Sequence, residues 1–205
     1  MLNSRQNSQI TFPVTATATE KALPWKLLAE FSDQDLGFYR LEPKPDKFRY
    51  SVRVVLFNSQ RQICIIKSLK YGYFQIPGGG VESGESLETA LRRETAEEAG
   101  YTIANFAPLG AIIEHRESTE HQYPWRGQIS FVFTAKANQV VKTHYTGSEI
   151  SEDFTPIWVD LDFVIDELGH KDQHPTGYSA AFATRRDLII TKTAQSLIQS
   201  RNLTI

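Results

Sequence analysis

Residues Gly78–Tyr101 read GGGVESGESLETALRRETAEEAGY. A glycine-rich turn there runs directly into a helix that carries Glu94, Glu97 and Glu98 one turn apart. At about 100° per residue the three carboxylates fall within an arc of roughly 100°, with Glu94 between the other two. A glutamate-rich helix face by itself is ordinary solvated surface. Three acceptor-only groups held this close repel one another unless a hard divalent cation sits among them. Mg²⁺ and Mn²⁺ suit such oxygen ligands and are readily shared with substrate phosphates. The glycines favour this second reading, because Pro77-Gly78-Gly79-Gly80 can take backbone angles closed to other residues and lets a ligand approach the main chain.

The helix carries its own punctuation. Ser86 is placed as N-cap, and Glu88 in the first turn favours the helix dipole. Leu87 and Leu91 form the expected buried stripe, with Ala90 and Ala99 allowing close packing at its edges. Gly100 is placed to end the helix in a left-handed conformation. Arg93 precedes Glu97 by four residues and can hydrogen-bond its carboxylate. On a bare surface that pair contributes about 0.2–0.5 kcal/mol; beside a metal it orients a ligand.

The segment resembles the signature box of the Nudix hydrolases. That pattern runs Gly, five residues, Glu, seven residues, Arg-Glu, an apolar residue, any residue, Glu-Glu, any residue, Gly, then an apolar residue. Gly79 opens it here, followed in register by Glu85, Arg93-Glu94, Glu97-Glu98 and Gly100. Two positions depart from it: Thr95 and Tyr101 stand where aliphatic residues are usual. Both are packing positions, and every glycine and charged position is filled.

The resemblance implies an α/β fold, an α/β/α sandwich around a mixed β-sheet, here with an N-terminal extension and a C-terminal helix. It implies hydrolysis of a diphosphate linkage in a nucleoside diphosphate derivative, with Mg²⁺ or Mn²⁺ held by Glu94, Glu97, Glu98 and the carbonyl of Gly79 or Gly80. Glu85 would support the cluster from the start of the helix, and Arg93 would orient it. The general base varies in such enzymes; the candidates are Glu98 itself and the loop acids Glu114, Glu117, Glu120, Glu149 and Glu152. Of the loop acids, Glu149 is the first choice with Glu152, since they precede the strand that contains Trp158. Arg53, Gly80 and Arg116 are candidates for contact with substrate phosphate, and Tyr73, Phe74, Tyr123, Trp125 and Tyr145 for stacking on a base. The proline about fifteen residues beyond the box of ADP-ribose-cleaving relatives has no counterpart, since Pro108 and Pro124 are misplaced. Tyr123 comes too late for the tyrosine of dinucleoside-polyphosphate enzymes, and the cysteine site of the isoprenoid isomerases is missing. A nucleoside triphosphate or oxidised nucleotide is therefore the expected substrate. Hydrolysis of ADP-ribose, a nucleotide sugar or a dinucleoside polyphosphate, or a non-catalytic ligand-sensing role, are the alternatives.

Around the box, the 205 residues suggest one domain with extensions. A formal charge of −2 and a pI near 6.2 leave no basic footprint for nucleic acid. No apolar run is long enough for a membrane span, and no basic start precedes a hydrophobic N-terminal core. The sole cysteine, Cys64, lies in the apolar run Ile63-Cys64-Ile65-Ile66 and reads as a buried small hydrophobe; without a disulfide partner it suits a reducing cytoplasm. Residues 1–47 read as a polar tail with a short amphipathic helix at Trp25–Phe31, and Ile10–Val14 as a possible short strand. Residues 48–170 read as the hydrolase domain and 171–205 as a helical extension able to pack on it or form a homodimer contact. Strands are expected at Arg49–Phe57 and Gln62–Leu69, joined through Asn58–Arg61, and at Tyr73–Ile76, Leu109–Glu117, Gln128–Ala137 and Pro156–Asp160, with helices at Leu161–Leu168 and Thr184–Ser200.

Overall fold

The computed structural model describes residues 9–10, 25–38, 48–116, 127–145 and 147–200. Among them, eight strands form one mixed sheet in the order β1-β2-β6-β7-β3-β4-β5, with β8 paired to β4. The strands are β1 (Gln9–Ile10), β2 (Trp25–Ser32), β3 (Arg49–Phe57), β4 (Ile63–Ser68), β5 (Phe74–Gln75), β6 (Tyr101–His115), β7 (Gln128–Val140) and β8 (Phe154–Val159). Helix α1 (Leu87–Glu94) covers one face; α3 (Leu161–Gln173) and α4 (Tyr178–Gln199) cover the other. This is the expected α/β/α sandwich. No helix among the described residues is long and apolar enough to cross a membrane.

Strand β3 runs parallel to β7 along its whole length and is apolar on both sides. Val52, Val54 and Leu56 face α1, while Val55 and Phe57 face α3 and α4, so Val54–Phe57 reads as continuously hydrophobic. Its pairing with β4 is limited to Phe57 and Ile63, next to the Asn58–Arg61 turn. Beyond that pair β4 turns away to β8 and β5. The glycine turn fills the gap left beside β3: Val52 and Val54 donate their amides to the carbonyls of Gly79 and Pro77, each at 3.0 Å.

Trp25–Ser32 is a strand parallel to β6, not the expected amphipathic helix. A register shift between Leu27 and Ala29 explains the reading. Trp25 and Leu27 point to the α1 side, whereas Ala29 and Phe31 point to the α4 side. A bulge that flips the alternation part-way along leaves an apolar pattern resembling a helical period. Trp25 packs against Phe131 and Phe133, with ring centroids at 4.9 and 5.2 Å, and Phe31 stacks on Phe182 at 5.6 Å.

Other boundaries extend beyond their expected limits. β6 begins at Tyr101 and absorbs three register irregularities against β7, α3 continues to Gln173, and α4 starts at Tyr178. Glu149 lies on a short helix, α2 (Gly147–Ser151), where a loop was expected. Glu117, Glu120, Tyr123, Trp125 and most of the Ile10–Val14 segment lie outside the described residues.

Candidate active site

Helix α1 begins as its sequence dictates. Ser86 has extended backbone angles and its hydroxyl accepts from the Thr89 amide at 3.1 Å. Leu91 and Ala90 are buried, and Glu88 pairs with Arg92 at 2.9 Å. The last turn departs from a regular helix: Thr95–Ala99 is a π-turn, closed by Gly100 at φ +73°. The change of pitch falls where the buried Thr95 hydroxyl donates to the Leu91 carbonyl at 2.6 Å, competing with the helix's own amides. Such wide turns concentrate at functional sites. The segment after β7 secures this one: His144 donates its amide to the Glu97 carbonyl at 2.9 Å, and the Tyr145 hydroxyl donates to the Glu98 carbonyl at 3.0 Å. Tyr145 is thereby engaged with the acidic turn, and burial pushes its phenol up to about 12.

The glycine turn presses against both α1 and β3. Gly78 has φ +134°, and a Cβ there would collide with the Val52 carbonyl. A Cβ on Gly79 would lie 2.5 Å from Glu94 Oε1. Glycine is required at Gly78 by the β3 backbone, and Gly79 lets the Glu94 carboxylate lie directly against the turn. The Gly78 amide donates to Glu98 Oε2 at 2.7 Å.

Arg93 is the hub of the acidic group. Its Nε and Nη2 grip both oxygens of Glu85 at 2.9 Å; Nη2 also donates to the Gly80 carbonyl at 2.9 Å. Nη1 donates to Glu94 Oε1 at 2.8 Å and Glu97 Oε2 at 3.1 Å. One planar cation thus spaces three carboxylates and joins both ends of the box, far more than a surface pair achieves. Hydrogen bonding to Glu85 holds Arg93 more firmly protonated, and in return Arg93 draws Glu85 below its ordinary range.

Glu94 and Glu98 are buried, whereas the Glu97 side chain is 39% exposed. Burial raises the Glu94 carboxyl, partly offset by Arg93. Burial pushes Glu98 up to about 8; Arg53 and the Gly78 amide oppose the shift, and Glu94 and Glu149 add to it. The donors on offer for a cation are the oxygens of Glu94, Glu97 and Glu98 and the second lone pair of the Gly79 carbonyl, an all-oxygen set that fits Mg²⁺ or Mn²⁺. Among the described residues no group of three or more acidic, histidine or cysteine side chains is drawn together closely enough to hold a metal ion by itself. Mg²⁺ keeps several waters and uses few protein carboxylates, with substrate phosphate completing its shell.

The remaining candidates separate. Glu149 is close enough to Glu98 to raise its proton affinity. Glu152 accepts from the Tyr73 hydroxyl and its carbonyl from Ser68, so it fastens α2 to the β4–β5 turn. Glu114 is fully buried, accepting from Gln128 Nε2 at 2.8 Å with Arg116 and Arg186 at 3.8 and 3.9 Å. Arg116 packs over the Phe182 ring at 5.2 Å. Arg53 lies beneath the turn, donating to the carbonyls of Ile76 and Gly78; burial and then Arg186 lower its guanidinium to about 10. Phe74 lies under the ammonium groups of Lys171 and Lys67, at 4.8 and 5.9 Å.

Two residues at the site were not singled out in the sequence. Arg49, on β3, stands against Gly80, its Nη2 2.9 Å from where a Cβ would lie. Asp187, on α4, accepts the Ile76 amide at 2.9 Å. The available signal for the second was a charged pair, Arg186-Asp187, set between apolar Phe182 and Leu188 on a helix.

The NUDIX domain family matches residues 47–178, more than half of the chain, and the chain belongs to that family. A Bacillus subtilis (strain 168) relative described as "Putative 8-oxo-dGTP diphosphatase" is 34% identical over 77 residues, 38% of this chain and 51% of its own. An RNA pyrophosphohydrolase of Wolbachia sp. subsp. Brugia malayi (strain TRS) is 45% identical over 88 residues, 42% of this chain and 55% of its own. The chain thus spans about half the length of these curated relatives. A crystal structure of an ADP compounds hydrolase shares the fold at a TM-score of 0.50 and 16% identity, covering 75% of this chain and 74% of that one.

Proposed function

We propose that this protein hydrolyses a diphosphate linkage in a nucleotide derivative, with a nucleoside triphosphate or an oxidised nucleotide as substrate and Mg²⁺ or Mn²⁺ as cation. The observation that carries the reading is the buried Glu98 carboxylate, fastened to the Gly78 amide beside Glu94. Carboxylates buried at this cost, one on the Arg93 fork and one on the Gly78 amide, are poised for a positive ligand rather than for stability.

A divalent cation on Glu94, Glu97, Glu98 and the Gly79 carbonyl would neutralise the diphosphate oxygens and acidify a bound water. The protein's own groups then divide the work. Arg93 spaces the carboxylates, and Gly80 lets the substrate lie against the main chain. Glu149 is our candidate to accept the proton of the attacking water, since it lies near enough to Glu98 to raise that carboxyl. Arg116 is retained as a candidate phosphate contact, together with Arg49. For Arg53 we favour holding the turn from below over direct contact with phosphate, because its Nη1 is engaged with two carbonyls and the side chain is buried.

The test is a hydrolysis panel with Mg²⁺ or Mn²⁺: the ordinary nucleoside triphosphates, 8-oxo-dGTP, ADP-ribose, a nucleotide sugar, a dinucleoside polyphosphate and an RNA with a 5′-triphosphate. A triphosphate should turn over, with activity abolished in Glu98→Gln and reduced in Glu149→Gln. Binding without turnover across the panel would identify a ligand-sensing module instead.

A further inference from the structure

The family match ends at residue 178, where α4 begins, yet α4 sends a side chain to the catalytic turn. Asp187 is fully buried, and its two oxygens are divided. Oδ1 accepts Arg186 Nε at 2.8 Å, and Oδ2 accepts the Ile76 amide at 2.9 Å. Strand β5 has ended at Gln75, so Asp187 supplies the acceptor this buried amide requires. The Ile76 carbonyl takes Arg53 Nη1 at 3.2 Å, and the same nitrogen donates to the Gly78 carbonyl. The other side of Gly78 donates its amide to Glu98. A continuous hydrogen-bonded path therefore runs from α4 through Ile76, Arg53 and Gly78 to the most buried carboxylate of the acidic group.

Asp187 contributes to stability by satisfying the Ile76 amide, and Arg186 also faces the buried Glu114 at 3.9 Å. A charge-assisted acceptor on a backbone amide does something an apolar side chain cannot: it fixes the direction of that peptide. We propose that Asp187 is a positioning residue for the catalytic turn, setting the Ile76 peptide so that Arg53 and Gly78 hold Glu98 in its metal-binding orientation. The inference rests on the function proposed above only for the metal; the hold on the turn is a property of the protein itself.

The test uses two readouts on the full chain. In metal-free protein, hydrogen exchange of the Gly78 amide should accelerate at least tenfold in Asp187→Asn, whose amide cannot accept from both Ile76 and Arg186. Mn²⁺ affinity, read by electron paramagnetic resonance, should fall about tenfold, the lower end for residues that orient metal ligands. Leu188→Ala removes a core contact from the same helix and serves as a control: it should lower the melting temperature while leaving both readouts within twofold. Should Asp187→Asn fail to fold, Asp187→Leu leaves Arg186 facing the buried Glu114 and still strips Ile76 of its acceptor, so it must give the same two losses. Unchanged Gly78 exchange in the Asp187 variants, or equal losses in Leu188→Ala, would overturn the inference. If the wild-type protein takes up no Mn²⁺, the proposed function fails, and Gly78 exchange still decides the role of Asp187.

Discussion

The Gly78 amide and Glu98 Oε2 are 2.7 Å apart, which makes the glycine turn and the end of the acidic helix a single unit. Neither partner can change alone. Gly78→Ala puts a Cβ into the Val52 carbonyl at a φ of +134°. Strained backbone of this kind costs about 1–3 kcal/mol before any clash is counted. We expect a loss of about 2 kcal/mol or more in urea unfolding, together with loss of Mn²⁺ binding.

The titration of Glu98 gives a pH dependence with a definite sign. Its carboxyl is raised from 4.5 to about 8 in the folded protein, chiefly by burial. A raised acid favours the folded state while protonated, so its contribution is complete below about pH 4.5 and is lost as pH rises through 8. Metal-free protein should therefore lose stability between pH 5 and 8, by up to several kcal/mol at about 1.4 kcal/mol per unit. Urea midpoints in EDTA at pH 5, 7 and 9 check this, and Glu98→Gln should remove most of the slope. Mn²⁺ affinity should run the other way, rising with pH up to about 8, because the cation requires the ionised form.

Arg93→Lys keeps the charge and loses the fork. An ammonium cannot grip Glu85 through two parallel bonds while also reaching Glu94, Glu97 and the Gly80 carbonyl. Isothermal titration with Mn²⁺ should show affinity weaker by about 10–100-fold. A wild-type-like titration would reduce Arg93 to an ordinary ion pair.

Cys64 is fully buried on β4, and burial pushes its thiol up to about 12. The thiolate is the reactive form, so the folded protein should resist a disulfide reagent at pH 8 and react fully in urea. Rapid native labelling would mean that β4 opens far more readily than its packing implies.

Much of this was legible in the sequence, because local rules govern it. The Ser86 cap, the Gly100 terminus, the Asn58–Arg61 hairpin and the spacing of the carboxylates are all decided within one or two turns of chain. The failures have a common origin in longer-range geometry. A bulge at Leu27–Ala29 disguised β2 as a helix. The π-turn coincides with the Thr95 hydroxyl bond to Leu91, at a position the motif marks only as a departure. That Arg53 holds two carbonyls of a turn more than twenty residues away was not legible either, since nothing local says so. Asp187 was harder still, being separated from Ile76 by over a hundred residues.

The parting of β3 from β4 leaves the Val52 and Val54 amides dependent on a borrowed partner, the carbonyls of Pro77 and Gly79. Bare strand edges recruit other chains. Damage to the turn would thus uncover an adhesive seam in the middle of the sheet. Variants there are expected to form aggregates as well as to lose activity, so the segment that serves chemistry also keeps molecules apart.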